Sequence, residues 1–152
     1  MKPLKRILLV EDNAKDAELT LGALSESHVA NDIVIARDGV EALDYLHARG
    51  RFAGREPGLP AVMLLDIKMP RMDGLEVLRH LKQEPAFKSL PVVMLTSSRE
   101  EPDLAKSYAL GANAYVVKPV DFGQFFDAVK QVGAFWGVLN QLPAEFPDSA
   151  RP

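Results

Sequence analysis

Three short runs, Ile7–Val10 (ILLV), Val62–Leu65 (VMLL) and Val92–Leu95 (VVML), are apolar at every position. A strand with one wet face alternates apolar and polar residues, so unbroken runs of this length belong to strands covered on both faces. Together with Asp32–Ala36 and Ala114–Val117, the segments Arg6–Val10, Ala61–Leu65 and Pro91–Leu95 make five candidate strands. Amphipathic stretches separate them. Ala17, Leu21, Leu24 and His28 recur at helical spacing, as do Val40, Leu43 and Leu46, then Leu75, Leu78 and Leu81. A fourth helix is expected to open at Pro102 and close at Gly111, and a fifth to run from the N-cap Asp121 towards Asn140. Strict alternation of strand and helix is the pattern of an open, doubly wound α/β sheet. Its active crevice lies beyond the carboxyl ends of the strands, so functional residues are sought just after each run. Residues 50–60 (GRFAGREPGLP) form a Gly/Pro-rich connection longer than the usual link, and residues 143–152 read as a tail.

Composition narrows the class. At 152 residues, 47% hydrophobic and 26% charged, the chain fits one domain with a sizeable core. Eighteen basic against 21 acidic residues give a net charge of −3, which lacks the positive balance that nucleic-acid binding draws on. The absence of cysteine excludes disulfides, thiolate catalysis and cysteine-held metals. The first apolar run is too short for a signal-peptide core or a membrane span, and a cytoplasmic protein with no membrane contact is expected.

Glu11 and Asp12 follow the first strand, Asp66 the third, Thr96 the fourth and Lys118 the fifth, all on one edge of the sheet. Three convergent carboxylates repel one another and persist only if protonated, paired with cations or bound to a metal. Oxygen-only ligands and scattered histidines (His28, His47, His80) favour a hard cation, Mg²⁺ or Mn²⁺. The Lys118 ammonium and the Thr96 hydroxyl add donors, completing a receptor for a phosphoryl group. Each residue also has an ordinary reading. Asp12 alone would serve as a helix cap, Thr96 as a cap for the following loop, and Tyr115 as a packing residue. The histidines and the Arg49/Arg51 pair read as surface residues.

The segments ILLVEDN (7–13), LLDIKMPRMDG (64–74), VVMLTSS (92–98) and AYVVKPV (114–120) resemble the receiver domain of bacterial response regulators. The resemblance spans roughly residues 5–132 and implies a flavodoxin-like fold of strand order 2-1-3-4-5, with a single receiver domain over residues 1–142. It implies that Asp66 accepts a phosphoryl group from a phosphohistidine on a sensor histidine kinase. Asp12, Asp66 and the backbone carbonyl of Lys68 would hold Mg²⁺, for which Mn²⁺ can substitute, and Glu11 would act directly or through water. Lys118 would contact the phosphoryl oxygens, Thr96 would bond one of them, Tyr115 would be the switching aromatic, and Pro119 would follow a cis bond. Lys68 and Ser98 would flank the water that hydrolyses the labile acyl phosphate. Such a chain is a switch with autophosphorylation and autodephosphorylation activity only, not a multiple-turnover enzyme.

Little chain follows the fifth helix, so output is expected through protein contact, with no attached effector. Phe122, Phe125, Val129, Val132, Trp136 and Leu139 form one apolar stripe, while Phe135, Val138 and Leu142 form a second on the helix extension. That surplus points to a homodimer through the last strand and last helix, with Phe135, Trp136, Val138 and Leu142 at the interface. The long 50–60 connection and the FW…LNQLP ending resemble single-domain regulators that partner phytochrome-type histidine kinases. A phosphorelay shuttle or phosphate sink is the alternative within the family. An aspartate-nucleophile phosphatase would need an acid where Lys68 stands, and a flavodoxin-like carrier would not place Glu11 and Asp12 where a flavin phosphate binds.

Overall fold

Alternate residues of each central strand enter opposite cores. On β1 (Pro3–Val10), Leu8 and Val10 face one side while Ile7 and Leu9 face the other, all fully buried. The computed structural model describes residues 3–25, 32–98, 101–112 and 114–133. Its sheet has the order β2-β1-β3-β4-β5, every pairing parallel, with β2 at Asp32–Ala36, β3 at Leu59–Asp66, β4 at Val92–Thr96 and β5 at Ala114–Val117. The five helices are α1 (Ala14–Ser25), α2 (Gly39–His47), α3 (Gly74–Gln83), α4 (Pro102–Ala109) and α5 (Phe122–Gln131). This is the doubly wound arrangement expected from the unbroken apolar runs.

The first core gathers Leu43 and Leu46 of α2, Leu78 and Leu81 of α3, and Leu104 of α4 against Leu8, Met63, Leu65 and Met94. The second gathers Ala17 and Leu24 of α1 and Phe125 and Val129 of α5 against Leu9, Val62, Leu64 and Leu95. Each fully buried Leu or Phe contributes roughly 1.5–3 kcal/mol by leaving water, so two such layers fix the sheet between its helices. The strand order reverses between β1 and β3, and that is where a doubly wound sheet opens its crevice.

Caps set the helix starts. Asp38, Asp73 and Asp121 accept the third backbone N–H of α2, α3 and α5, and Pro102 opens α4 as expected. The long connection begins with a 3₁₀ turn at Gly50–Phe52 and is stapled to α2 by Arg55. Its Nε donates to the Tyr45 carbonyl at 2.6 Å and its guanidinium lies 4.1 Å over the Tyr45 ring. It ends sooner than expected, because β3 begins at Leu59. Pro60 fits there because β4 joins β3 only from Met63 onward, so no β4 bond depends on its missing N–H.

One expectation is corrected. The last helix does not run unbroken from Asp121 towards Asn140: α5 ends at Gln131, and Gly133 takes a left-handed φ of 76°. The Gly133 N–H donates to the Lys130 carbonyl, a glycine helix stop that the apolar stripe obscured. Phe135, Trp136, Val138, Leu139, Leu142, His28 and the 143–152 tail lie outside the described residues. No helix among the described residues is long and apolar enough to cross a membrane.

Candidate phosphoryl acceptor and metal site

Strand register assembles the site before any side chain is considered. Val10 pairs with Leu65 and Asp66 with Leu95, which sets Glu11 beside Asp66 at the open end of the sheet. Thr96 pairs with Val117, and the Lys118 N–H then donates to the Thr96 carbonyl at 2.8 Å. Lys118-Pro119 is a cis peptide bond, as expected. Gly74 lets α3 start hard against the acceptor strand, since a Cβ there would stand 2.3 Å from the Asp66 carbonyl oxygen.

The result is a cleft of about 200 Å³ lined by Glu11, Asp12, Asp66, Lys68, Thr96 and Lys118, together with Asn13, Asp16 and Glu101. Ligand atoms of Glu11, Asp12 and Asp66 lie within 4.8 Å of one another. Glu11 and Asp66 are buried, whereas Asp12 is exposed at the mouth. A hard divalent cation fits this donor set, because carboxylate oxygens are its preferred ligands and the exposed side leaves room for water.

Lys118 is the hub. Its Nζ donates to Glu11 Oε1 at 3.0 Å, Asp16 Oδ2 at 3.0 Å and Asp66 Oδ2 at 3.1 Å. Desolvation works to lower its pKa, but the hydrogen bonds to Asp16 and Glu11 and the charge of Asp66 outweigh it and hold the ammonium above the ordinary lysine range. Glu11 goes the other way. Burial, reinforced by the hydrogen bond and charge of Asp66, pushes its carboxyl up to about 7 against the opposing pull of Lys118 and the Asn13 N–H.

Thr96 is almost fully buried, and its hydroxyl closes a local turn, donating to the Ser98 carbonyl at 2.8 Å. The Lys68 backbone N–H donates to Asp66 Oδ1 at 3.3 Å while its ammonium reaches Glu101 at 3.4 Å. Tyr115 is half-buried off the cleft, edge-on to Tyr108 at 6.2 Å. Asn13, not Asp12, caps α1, accepting from the Asp16 N–H at 2.9 Å. His47 pairs with Glu84 and His80 is exposed, the surface roles expected of them.

Sequence reasoning missed Asp16, whose only signal is its place four residues after Asp12 in the first turn of α1. It also missed Arg71, held at φ 63° with its guanidinium on the buried Asp38 at 2.5 Å, which ties the loop after β3 to the start of α2.

Comparison with known proteins agrees with this geometry. The family model of the response regulator receiver domain matches residues 7–130. Response regulator Rcp1 of Synechocystis sp. is 38% identical over 142 residues, covering 93% of this chain and 95% of the relative. A solved Mn²⁺-bound form of Rcp1 has a TM-score of 0.69 at 38% identity, over 91% of this chain and 98% of that one. The bacteriophytochrome response regulator AtBRR is 58% identical with a TM-score of 0.84, covering 91% of this chain and 99% of that one. The phosphorylated cyanobacterial phytochrome response regulator RcpA is 41% identical with a TM-score of 0.71, over 92% and 99% of the two chains. The match takes in both halves of the sheet and every residue gathered around Lys118, and the chain belongs to the response regulator receiver family.

Proposed function

We propose that Asp66 is the phosphoacceptor of a signalling switch, charged by a sensor histidine kinase in a Mg²⁺-dependent transfer. The observation that carries this is the position of Asp66, buried at the end of β3, 3.1 Å from the Lys118 ammonium and within one carboxylate group with Glu11 and Asp12. An Asp66 carboxylate oxygen attacks phosphorus, a C(O)–O–P bond forms, and the P–N bond to the kinase histidine breaks, leaving the imidazole to take up a proton. Lys118 neutralises charge on the incoming phosphoryl oxygens. Glu11, Asp12, Asp66 and the Lys68 carbonyl would hold the cation, which when bound offsets the carboxylate charge and polarises the phosphoryl oxygens.

Thr96 would leave its bond to the Ser98 carbonyl for a phosphoryl oxygen, and Tyr115 would move with it, so the signal leaves through the β4–β5 side. The acyl phosphate is labile, and Lys68 and Ser98 flank the approach of the hydrolytic water. The Lys68 ammonium, turned to Glu101, occupies the position where an aspartate-nucleophile phosphatase would need a general acid, which favours a switch over an enzyme.

Similarity to Rcp1, RcpA and AtBRR supports a phytochrome-type kinase as the donor. Homodimerisation through the last strand and last helix belongs to the same reading, and slower sedimentation of Trp136→Glu than of the parent at micromolar concentration tests it.

The test of the transfer itself is intact mass after incubation with Mg²⁺ and acetyl phosphate. One added phosphoryl group is expected, lost in Asp66→Asn and in EDTA. Labelling that survives either condition contradicts the proposal.

A further inference from the structure

Lys118 has three donor protons, and three carboxylates engage its ammonium: Glu11, Asp16 and Asp66. Two of these, Glu11 and Asp66, also belong to the group that could hold a cation, and Asp16 stands outside that group. A divalent ion and an ammonium seek the same carboxylate lone pairs, so any cation entering the cleft competes with Lys118 for Glu11 and Asp66. Lys118 has little freedom to withdraw. Its side chain is only 15% exposed, and its backbone is fixed to Thr96. An ammonium kept in such a place needs a carboxylate that the metal does not claim.

Asp16 is built to be that carboxylate. It sits in the first turn of α1, its own N–H held by Asn13, and its side chain is 34% exposed at the rim of the cleft. We infer that Asp16 is a positioning residue that shares Lys118 with the acceptor site, keeping the ammonium beside Asp66 while leaving the oxygens of Glu11 and Asp66 open to a divalent cation. The inference rests on reading the cleft as a Mg²⁺-dependent acceptor site. Without Asp16, the ammonium settles wholly onto Glu11 and Asp66 and the metal must displace it. A mere brace between α1 and β5 would instead lower stability and leave metal affinity alone.

The test is calorimetric titration of Mg²⁺ alone into the full-length, unphosphorylated protein. Wild type, Asp16→Asn, Asp16→Glu, Lys118→Ala and the Asp16→Asn/Lys118→Ala double variant are compared, each checked for folding by circular dichroism. Asp16→Asn is expected to weaken Mg²⁺ binding about fivefold, the order of one partly exposed ion pair, and Asp16→Glu to stay within about twofold of wild type. In the Lys118→Ala background the Asp16→Asn change should move affinity by less than about twofold. Should Asp16→Asn fail to fold, Asp16→Ser carries the same expectation. Unchanged affinity in Asp16→Asn overturns the inference, as does a fivefold loss that persists without Lys118. Wild-type protein that binds no Mg²⁺ overturns the metal reading and this inference with it, a result distinct from the other two.

Discussion

Around Lys118 one ammonium faces Glu11, Asp16 and Asp66 with Asp12 beside them, whereas along α2 each arginine has its own partner. Arg49 pairs with Asp44 at 2.8 Å, Arg51 with Glu41 at 3.0 Å, and Arg55 rests on the carbonyls of Tyr45 and Leu46. The two ion pairs, Arg49–Asp44 and Arg51–Glu41, are each balanced in charge with their arginines exposed, while Arg55 staples the long connection and Arg51 also covers the Ile35 carbonyl on the edge strand. The Lys118 set is largely buried and carries surplus negative charge, and burial raises the pKa of its Glu11 carboxyl. Structural ion pairs tend to close their own account of charge. A set left open in a crevice is a receptor for the missing positive charge and for the phosphoryl group it accompanies.

Substitutions in the two sets should therefore differ sharply. The largest effect is expected of Lys118→Ala, which removes the only cation touching Asp66 among the described contacts. Its labelling by acetyl phosphate should slow by about 10²–10³-fold in a timed mass assay. A loss below tenfold would detach Lys118 from the chemistry.

Next in size is the response to metal. Mg²⁺ at about one hundred times its dissociation constant should stabilise the fold by about 2.7 kcal/mol, raising the thermal midpoint by roughly 5–10 °C. Asp12→Asn should lose most of that rise, and Arg51→Ala should keep all of it. An equal rise in all three proteins would mean that the open charge is not where the metal acts.

Gly74→Ala should destabilise by about 1–3 kcal/mol in denaturant unfolding, because its methyl group would collide with the Asp66 carbonyl. Its labelling should fall as well, since the backbone that must yield is the acceptor's own. The smallest effect belongs to Arg51→Ala. This exposed pair should contribute less than about 1 kcal/mol, and labelling should match wild type.

The same contrast explains what could be read in advance. Strands buried on both faces leave an unbroken apolar run, so β1, β3 and β4 were visible, and with them the positions of Glu11, Asp66 and Thr96 one step beyond the apolar core. The ends were less visible. Pro3–Leu4 and Leu59–Pro60 join the sheet through main-chain pairing that side-chain pattern does not encode. Asp16 escaped because an acid in a first helical turn is ordinary, and its meaning comes only when the end of β5, 102 residues away, delivers Lys118 to it. Gly133 signals the stop of α5 at Gln131, but the apolar stripe that runs past it in the sequence masks the glycine.

The site of the covalent bond is the most direct test of the account. Protein treated with Mg²⁺ and acetyl phosphate is reduced with borohydride, which converts an aspartyl phosphate to homoserine, and the modified position is found by peptide mass mapping. The account predicts homoserine at position 66 alone. Reduction at Asp12 or Asp16, or a phosphoryl group on a histidine with position 66 unchanged, would contradict it.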